Sequence, residues 1–169
     1  EKYGITKCHA LAIGGDTRQE SAKRGLLALS EDVQYIAIHD AARPLITPAQ
    51  IGRVVTFAYA YHAATAVTPV VDTVKTVNNR GFIKETLPRD SVRLAATPQV
   101  FHRRYYEAAV KYAEEKGISV TDDNSLMELI GQRVKTVDTG RENLKITEAG
   151  DIPVAEAILK RRGEHHARS

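Results

Sequence analysis

Short apolar runs alternate along this chain with longer stretches in which apolar residues recur every three or four positions. His9–Ile13 (HALAI), Tyr35–Ile38 (YIAI) and Ala63–Val71 are the runs, each of strand length and each read as a strand buried on both faces of a sheet. Gly14-Gly15 ends the first. Asp16 or Thr17 then caps a helix, with Glu20 three residues beyond Thr17 as in a capping box and Ala22, Leu26, Leu27 and Leu29 as its apolar face. A second helix starts at Thr47-Pro48-Ala49-Gln50, where Thr47 caps, Pro48 takes the first helical position and Gln50 completes the box. Ile51, Val54, Val55, Ala58 and Tyr59 follow at helical spacing. The order β-α-β-α-β predicts an α/β fold with a parallel sheet and crossover helices. Pro69 keeps the later part of its strand away from a central position.

The pattern changes at Asp72. Val74–Val77 and Phe82–Glu85 flank Asn78-Asn79-Arg80-Gly81, residues that tolerate positive φ, and together they predict a β-hairpin. Its apolar surface is too small for a core of its own, so it is expected to project and pair with another surface, such as a second subunit. Ala96–Phe101 reads as a short strand or extended segment, and His102–Lys116 as an amphipathic helix stopped by Gly117. Phe101, Tyr105 and Tyr106 are either a base-stacking platform or core, and this spacing is that of core. Thr121-Asp122-Asp123 opens a short helix, Val134–Val137 is a strand candidate, and a last helix spans about 149–162. With no repeat, low-complexity segment or linker, residues 1–169 read as one α/β domain with 72–92 as a protruding arm.

Composition narrows the picture slightly. A formal charge of +3 spread along 169 residues does not point to nucleic acid. The one dense basic group, Lys160–Arg162, reads as a helix end complementing its dipole. Cys8 is the only cysteine, which rules out an internal disulfide and a cysteine-based zinc site; it reads as a small buried side chain. No apolar run reaches transmembrane length and the charged N-terminus is unlike a signal peptide, so no membrane partner is expected and the cytoplasm is the default.

Candidate chemistry concentrates in Gln34–Pro44, QYIAIHDAARP. Asp40 and Arg43 follow a buried strand, where open α/β sheets bind ligands. Asp40 could hold a divalent cation and Arg43 could clamp a phosphate, or the two could simply close the loop as an ion pair. Gly14-Gly15 before a helix has the layout of an anion site but matches neither GxGxxG nor the P-loop, and a plain turn reads as well. Asp122 and Asp123 read first as helix caps. Lys145, between apolar residues, points either into a polar pocket or to solvent.

Several stretches together resemble one family, the 2-C-methyl-D-erythritol 4-phosphate cytidylyltransferases of the non-mevalonate isoprenoid pathway. They are GGDTRQES (14–21), HDAARP (39–44), DTVK (72–75), TLPRDSV (86–92), ATPQVF (96–101), TDDNSLMELIG (121–131) and ENLKIT (142–147), in the family's order. The resemblance implies a Rossmann-like nucleotidyltransferase sheet and transfer of a cytidylyl group from CTP to methylerythritol phosphate, giving CDP-methylerythritol and pyrophosphate. It also implies Mg²⁺, with Asp40 as its ligand and as a neighbour of the sugar phosphate. By position, Gly15, Asp16, Ser21 and Ala41 look like the cytidine-binding elements. Arg43, Thr97 and Lys145 look like substrate contacts within one subunit, with Lys145 also neutralising charge in the transition state. Thr73, Arg89 and Thr121 look like positions reaching a neighbouring subunit's site, which makes 72–92 a dimerisation arm and the protein a homodimer.

The sibling family that transfers cytidylyl to ribitol 5-phosphate shares several of these motifs. Lys75 after Asp-Thr-Val and the run TDDNSLME favour methylerythritol phosphate, while Arg93 and Asn124 depart from the usual pattern. The family's N-terminal strand and glycine-rich triphosphate loop have no counterpart in Glu1–Ala12. The resemblance therefore implies an N-terminal βα portion that is missing here, and a chain that is inactive or weakly active by itself. The alternative is a non-catalytic, dimerising sugar-phosphate-binding remnant.

Overall fold

The computed structural model describes residues 6–8 and 10–166, with side chains through 163. A helix α1 (Arg18–Leu27) precedes β1 (Tyr35–Ile38), α2 (Pro48–Tyr61) and β2 (Ala63–Pro69). The hairpin β3 (Val74–Val77) and β4 (Ile83–Leu87) leads through a single 3-10 turn to β5 (Arg93–His102). The helices α3 (Arg103–Lys116) and α4 (Asp123–Leu129), the strand β6 (Lys135–Asp138) and the helix α5 (Asp151–His166) complete the chain.

Four strands form the main sheet in the order β1-β5-β2-β6. β2 and β6 are parallel, whereas β5 runs antiparallel to both β1 and β2. The expected all-parallel sheet is thus corrected to a mixed one. β5 enters from the hairpin rather than through a crossover helix, and so returns between β1 and β2 in the opposite direction. β1, β2 and β6 still share one direction, and their carboxyl ends lie at one end of the sheet. Pro69 pairs with β5 beyond the last β2–β6 pair, Val67 with Asp138, so its missing N–H leaves no gap in that ladder.

Period-2 alternation divides the core between two faces. Ala63 and Phe101 pack with Leu26, Tyr106, Ala109, Leu126 and Met127 under α1, α3 and α4, while Ala64, Ala66 and Val100 pack with Val54, Ala58 and Val137 under α2. Helices therefore cover both sides of the sheet. Phe101 and Tyr106 are core, with stacked rings 5.4 Å apart.

The local signals for the helices produce what they predict. Thr47 and Gln50 form a complete capping box, and Gly117 ends α3 at φ +63°. Thr17 caps α1, but the Glu20 carboxylate reaches back to Asp16 N–H at 3.0 Å rather than to Thr17. The hairpin forms a separate two-stranded sheet, with Gly81 at φ +80° and the Asn78 side chain accepting from the Arg80 and Phe82 N–H groups.

Three readings need correction. HALAI forms no strand: His9 lies outside the described residues, and Leu11 and Ile13 are 92% and 86% exposed. An apolar run becomes a strand only where another strand offers a ladder, and Ala10–Ile13 has none among the described residues. β1 is buried on one face only, with Ile36 inside and Ala37 exposed. Cys8 is exposed, again because no strand forms around it. At the other end, Arg161 and Arg162 do more than face a dipole. Both pair with Glu142, and Arg162 also donates to Leu45 O at 2.7 Å.

Candidate active site

β1 stops at Ile38, and the next residues turn across the carboxyl end of the sheet. Arg43 N–H donates to Asp40 O at 2.9 Å and closes the turn. A second loop is stitched to it: Ile146 N–H donates to Ala42 O at 2.8 Å, and the Arg43 guanidinium donates to Asn143 O at 2.9 Å. That stitching brings Lys145 to the cavity. Asp40 Oδ2 lies 3.3 Å from Arg43 Nε and 3.3 Å from Lys145 Nζ. Of the two sequence alternatives for the HDAARP loop, the ion pair is present, and it faces a cavity.

Thr97, on β5, is the hub beneath this pair. Its hydroxyl accepts from Asp40 N–H at 3.0 Å and lies 2.9 Å from His39 Nδ1, whose other ring nitrogen is 3.1 Å from Arg43 O. Asn143 Nδ2 donates to Thr97 O at 2.8 Å, closing a ring of contacts through both loops and the central strand. The Thr97-Pro98 peptide is cis.

The cavity holds about 180 Å³. Asp40, Arg43 and Lys145 line it together with Thr97, Gln99, Thr121 and Asp122, and Arg18 reaches in from α1. Burial by itself would raise the Asp40 carboxyl, but the contacts with Lys145 and then Arg43 outweigh it and hold the group below the ordinary carboxylate range. Asp122 behaves alike. Burial raises it, while hydrogen bonds from Ser125, Gln99 and Asn124 lower it further. The cavity therefore carries two ionised carboxylates and three basic side chains.

Of the residues singled out in the sequence, Asp40, Arg43, Thr97, Thr121 and Lys145 meet in this cavity. Gly15, Asp16 and Ser21 meet one another at the start of α1, outside the cavity lining: Gly15 N–H donates to Ser21 Oγ at 3.0 Å. An added Cβ at Gly15 would stand 2.3 Å from the Glu20 carboxyl. The α1 N-terminus is not open to an anion at every N–H, since the Glu20 and Asp16 amides already bond to Thr17 Oγ1 and to Glu20. Ala41 is exposed on the Asp40 turn. Thr73 and Arg89 lie exposed at the base of the arm, where Arg89 donates to Val71 O at 2.7 Å.

Sequence reasoning missed Gln99, Asp122 as a cavity wall, His39, Asn143 and Arg18. Each sits inside a motif, but nothing local assigns it a partner. Among the described residues no three His, Cys, Asp or Glu side chains are grouped for a metal. Asp40 presents a single carboxylate, with Oδ2 turned to the two cations. That donor set suits Mg²⁺, which takes one or two carboxylates and draws its other ligands from phosphates and water.

Residues 5–161 match the family model of IspD, 2-C-methyl-D-erythritol 4-phosphate cytidylyltransferase. The enzyme of that name from Pelotomaculum thermopropionicum is 45% identical over 162 residues, which are 96% of this chain and 68% of the relative. That of Desulforamulus reducens is 43% identical over 158 residues, covering 94% and 68%. The Thermus thermophilus crystal structure of the same enzyme superposes with a TM-score of 0.78 at 35% identity, covering 87% of this chain and 71% of that one. The 4-diphosphocytidyl-2C-methyl-D-erythritol synthase of Anaerococcus prevotii gives 0.82 at 30% identity, covering 87% and 68%. With its fold, its motifs and the great majority of its length in common with these proteins, the chain belongs to the 2-C-methyl-D-erythritol 4-phosphate cytidylyltransferase family.

Proposed function

We propose that this protein transfers the cytidylyl group of CTP to 2-C-methyl-D-erythritol 4-phosphate, releasing pyrophosphate, as a step of the non-mevalonate isoprenoid pathway. The carrying observation is the Asp40–Arg43–Lys145 group at the carboxyl end of β1, in a chain whose relatives bear that activity in their names. In the reaction an oxygen of the 4-phosphate attacks the α-phosphorus of CTP. The new P–O bond forms as the bond to the bridging oxygen breaks, and pyrophosphate leaves with that electron pair. Two polyanions must approach, so the protein's task is positioning and charge neutralisation.

Arg43 is held in place by Asn143 O and Asp40, which aims its planar fork at a phosphate. Lys145 has a side chain 46% exposed and a mobile point charge, suited to follow the charge that grows on the transferring phosphate. Thr97 fixes the Asp40 turn and lines the cavity in which the sugar phosphate would lie. Mg²⁺, held by Asp40, would supply Lewis-acid neutralisation of the triphosphate. Gly15, Asp16, Ser21 and Ala41 form the cytidine side. Thr73 and Arg89 stand on the arm and Thr121 on the cavity wall. In this reading the arm, 72–92, joins two copies, and its residues serve the partner's site. Exposed Phe82 and Ile83 on the arm support that pairing. The protein works in the cytoplasm, in keeping with the absence, among the described residues, of any helix long and apolar enough to cross a membrane.

The test is product formation. With CTP, methylerythritol phosphate and Mg²⁺, CDP-methylerythritol and pyrophosphate should appear in equal amounts, and ribitol 5-phosphate should be a much poorer acceptor. Sugar-phosphate binding with no consumption of CTP would overturn the reading in favour of a non-catalytic binding protein.

A further inference from the structure

We propose that Arg18 is a positioning residue that joins the two halves of the site, the Gly15–Ser21 loop on the nucleotide side and the Thr121–Asp122 wall on the sugar-phosphate side. The assignment of the halves rests on the cytidylyl-transfer reading above. The link itself rests on geometry.

Arg18 is the first residue of α1, directly after the Thr17 cap, and its guanidinium reaches the cavity wall. Its Nη1 stands 2.6 Å from Asp123 Oδ2, a carboxylate only 1% exposed. The other Asp123 oxygen accepts the Tyr106 phenol at 2.6 Å. Oδ2 has no hydrogen bond with any described residue, so the approach of Arg18 is a charge contact rather than an aligned hydrogen bond. Asp123 N–H donates to Gln99 Oε1 at 3.1 Å, and Gln99 Nε2 donates to Asp122 Oδ2 at 3.2 Å. A buried carboxylate on α4 thus takes its counter-charge from α1, and the same α4 residue orients, through Gln99, the carboxylate that lines the cavity.

Leaving a buried charge uncompensated is strongly unfavourable. The first turn of α1 and the first turn of α4 therefore cannot shift independently while Arg18 is in place. Ser21 lies one turn along α1, where its amide bonds to Thr17 O and its hydroxyl to Gly15, so the Gly15 loop moves with Arg18. Arg18 needs no contact with the reacting atoms for this role. Lysine would keep the charge, but without the planar reach of the guanidinium.

Two measurements on the 169-residue chain test this. Without ligands, Arg18→Gln should raise hydrogen exchange together at the Glu20 and Ser21 amides of α1 and the Asp123 and Ser125 amides of α4, with the β3–β4 amides unchanged. In turnover, KM for CTP and for methylerythritol phosphate should rise together, by about tenfold each, with kcat nearly unchanged and Arg18→Lys partly restoring both. If Arg18→Gln does not fold, Arg18→Lys is measured in its place, with a smaller change expected in the same two elements. Faster exchange confined to one element overturns the proposal. So does a rise in only one KM, which would mark a direct ligand contact, or a fall in kcat with both KM values fixed, which would mark a residue that only stabilises the fold. If the unsubstituted chain shows no turnover, as the missing N-terminal portion would lead one to expect, the exchange measurement by itself decides whether Arg18 joins the two elements.

Discussion

Asp40 is only 22% exposed and has two cations within 3.3 Å. An ionised carboxylate so placed contributes stability through its partners, and under the proposed function it is the group that would hold Mg²⁺. Asp40→Asn should therefore reduce Mg²⁺-dependent turnover by roughly 100-fold or more while leaving the circular dichroism spectrum intact; unchanged turnover would remove Asp40 from the metal. The same depression predicts an acid limb of stability. Asp40 and Asp122 both have folded-state pKa values below their unfolded ones. Their contribution is fully present above the ordinary aspartate value of about 3.9 and is lost as pH falls through the depressed folded values. Denaturant unfolding from neutral pH downwards should show this loss, and Asp122→Asn should flatten it. Asp40, Arg43 and Lys145 were legible as residues because a charged cluster after a buried strand, or a lysine between apolar neighbours, is unusual. Asn143, Gln99 and Arg18 were not. Arg43 meets Asn143 across 100 residues and Thr97 meets His39 across 58, distances over which no local pattern assigns a partner.

Elements were legible wherever their ends carry their own chemistry. The α2 capping box is complete, and Gln50 also donates to Thr139 O at 2.5 Å, tying the helix start to the loop after β6. Thr47→Ala should cost about 1 kcal/mol in equilibrium unfolding; no measurable change would mean that the Gln50 contact alone fixes this end. The hairpin was legible because Asn-Asn-Arg-Gly supplies a turn at the right spacing. α4 was only half legible. Asp122 is the cap that was expected, accepting from Ser125 N–H, but Asp123 turns inward to Tyr106. Burial first, and then the Asp123 charge, push the Tyr106 phenol far above its ordinary value, so it stays a donor at any working pH. Tyr106→Phe should lose about 1–3 kcal/mol of stability, because a buried carboxylate oxygen loses its donor; denaturant titration measures it.

At the scale of the molecule, the arm leaves Phe82 and Ile83 67% and 65% exposed on a two-stranded sheet with no core of its own. If the arm joins two copies, Ile83→Asp should shift the mass in solution from dimer to monomer with little change in secondary structure. Mixed dimers of Arg89→Ala and Asp40→Ala subunits should then recover part of the lost activity, and no recovery in verified mixed dimers would count against a shared site. The sequence by itself determined the elements with local punctuation: both capped helices, the hairpin, and α3 with its glycine stop. It also determined which motif would carry charge at a strand end, because caps, turns and apolar periodicity act over a few residues. Only the tertiary structure decided the direction of β5, which follows from what a strand finds beside it and not from its own residues. It likewise decided that Ala10–Ile13 forms no strand, since a ladder needs a partner. The ring of Asp40, Thr97, Asn143 and Arg43 was decided there too, because three segments far apart in the chain must first pack on one sheet end before their polar groups can satisfy one another.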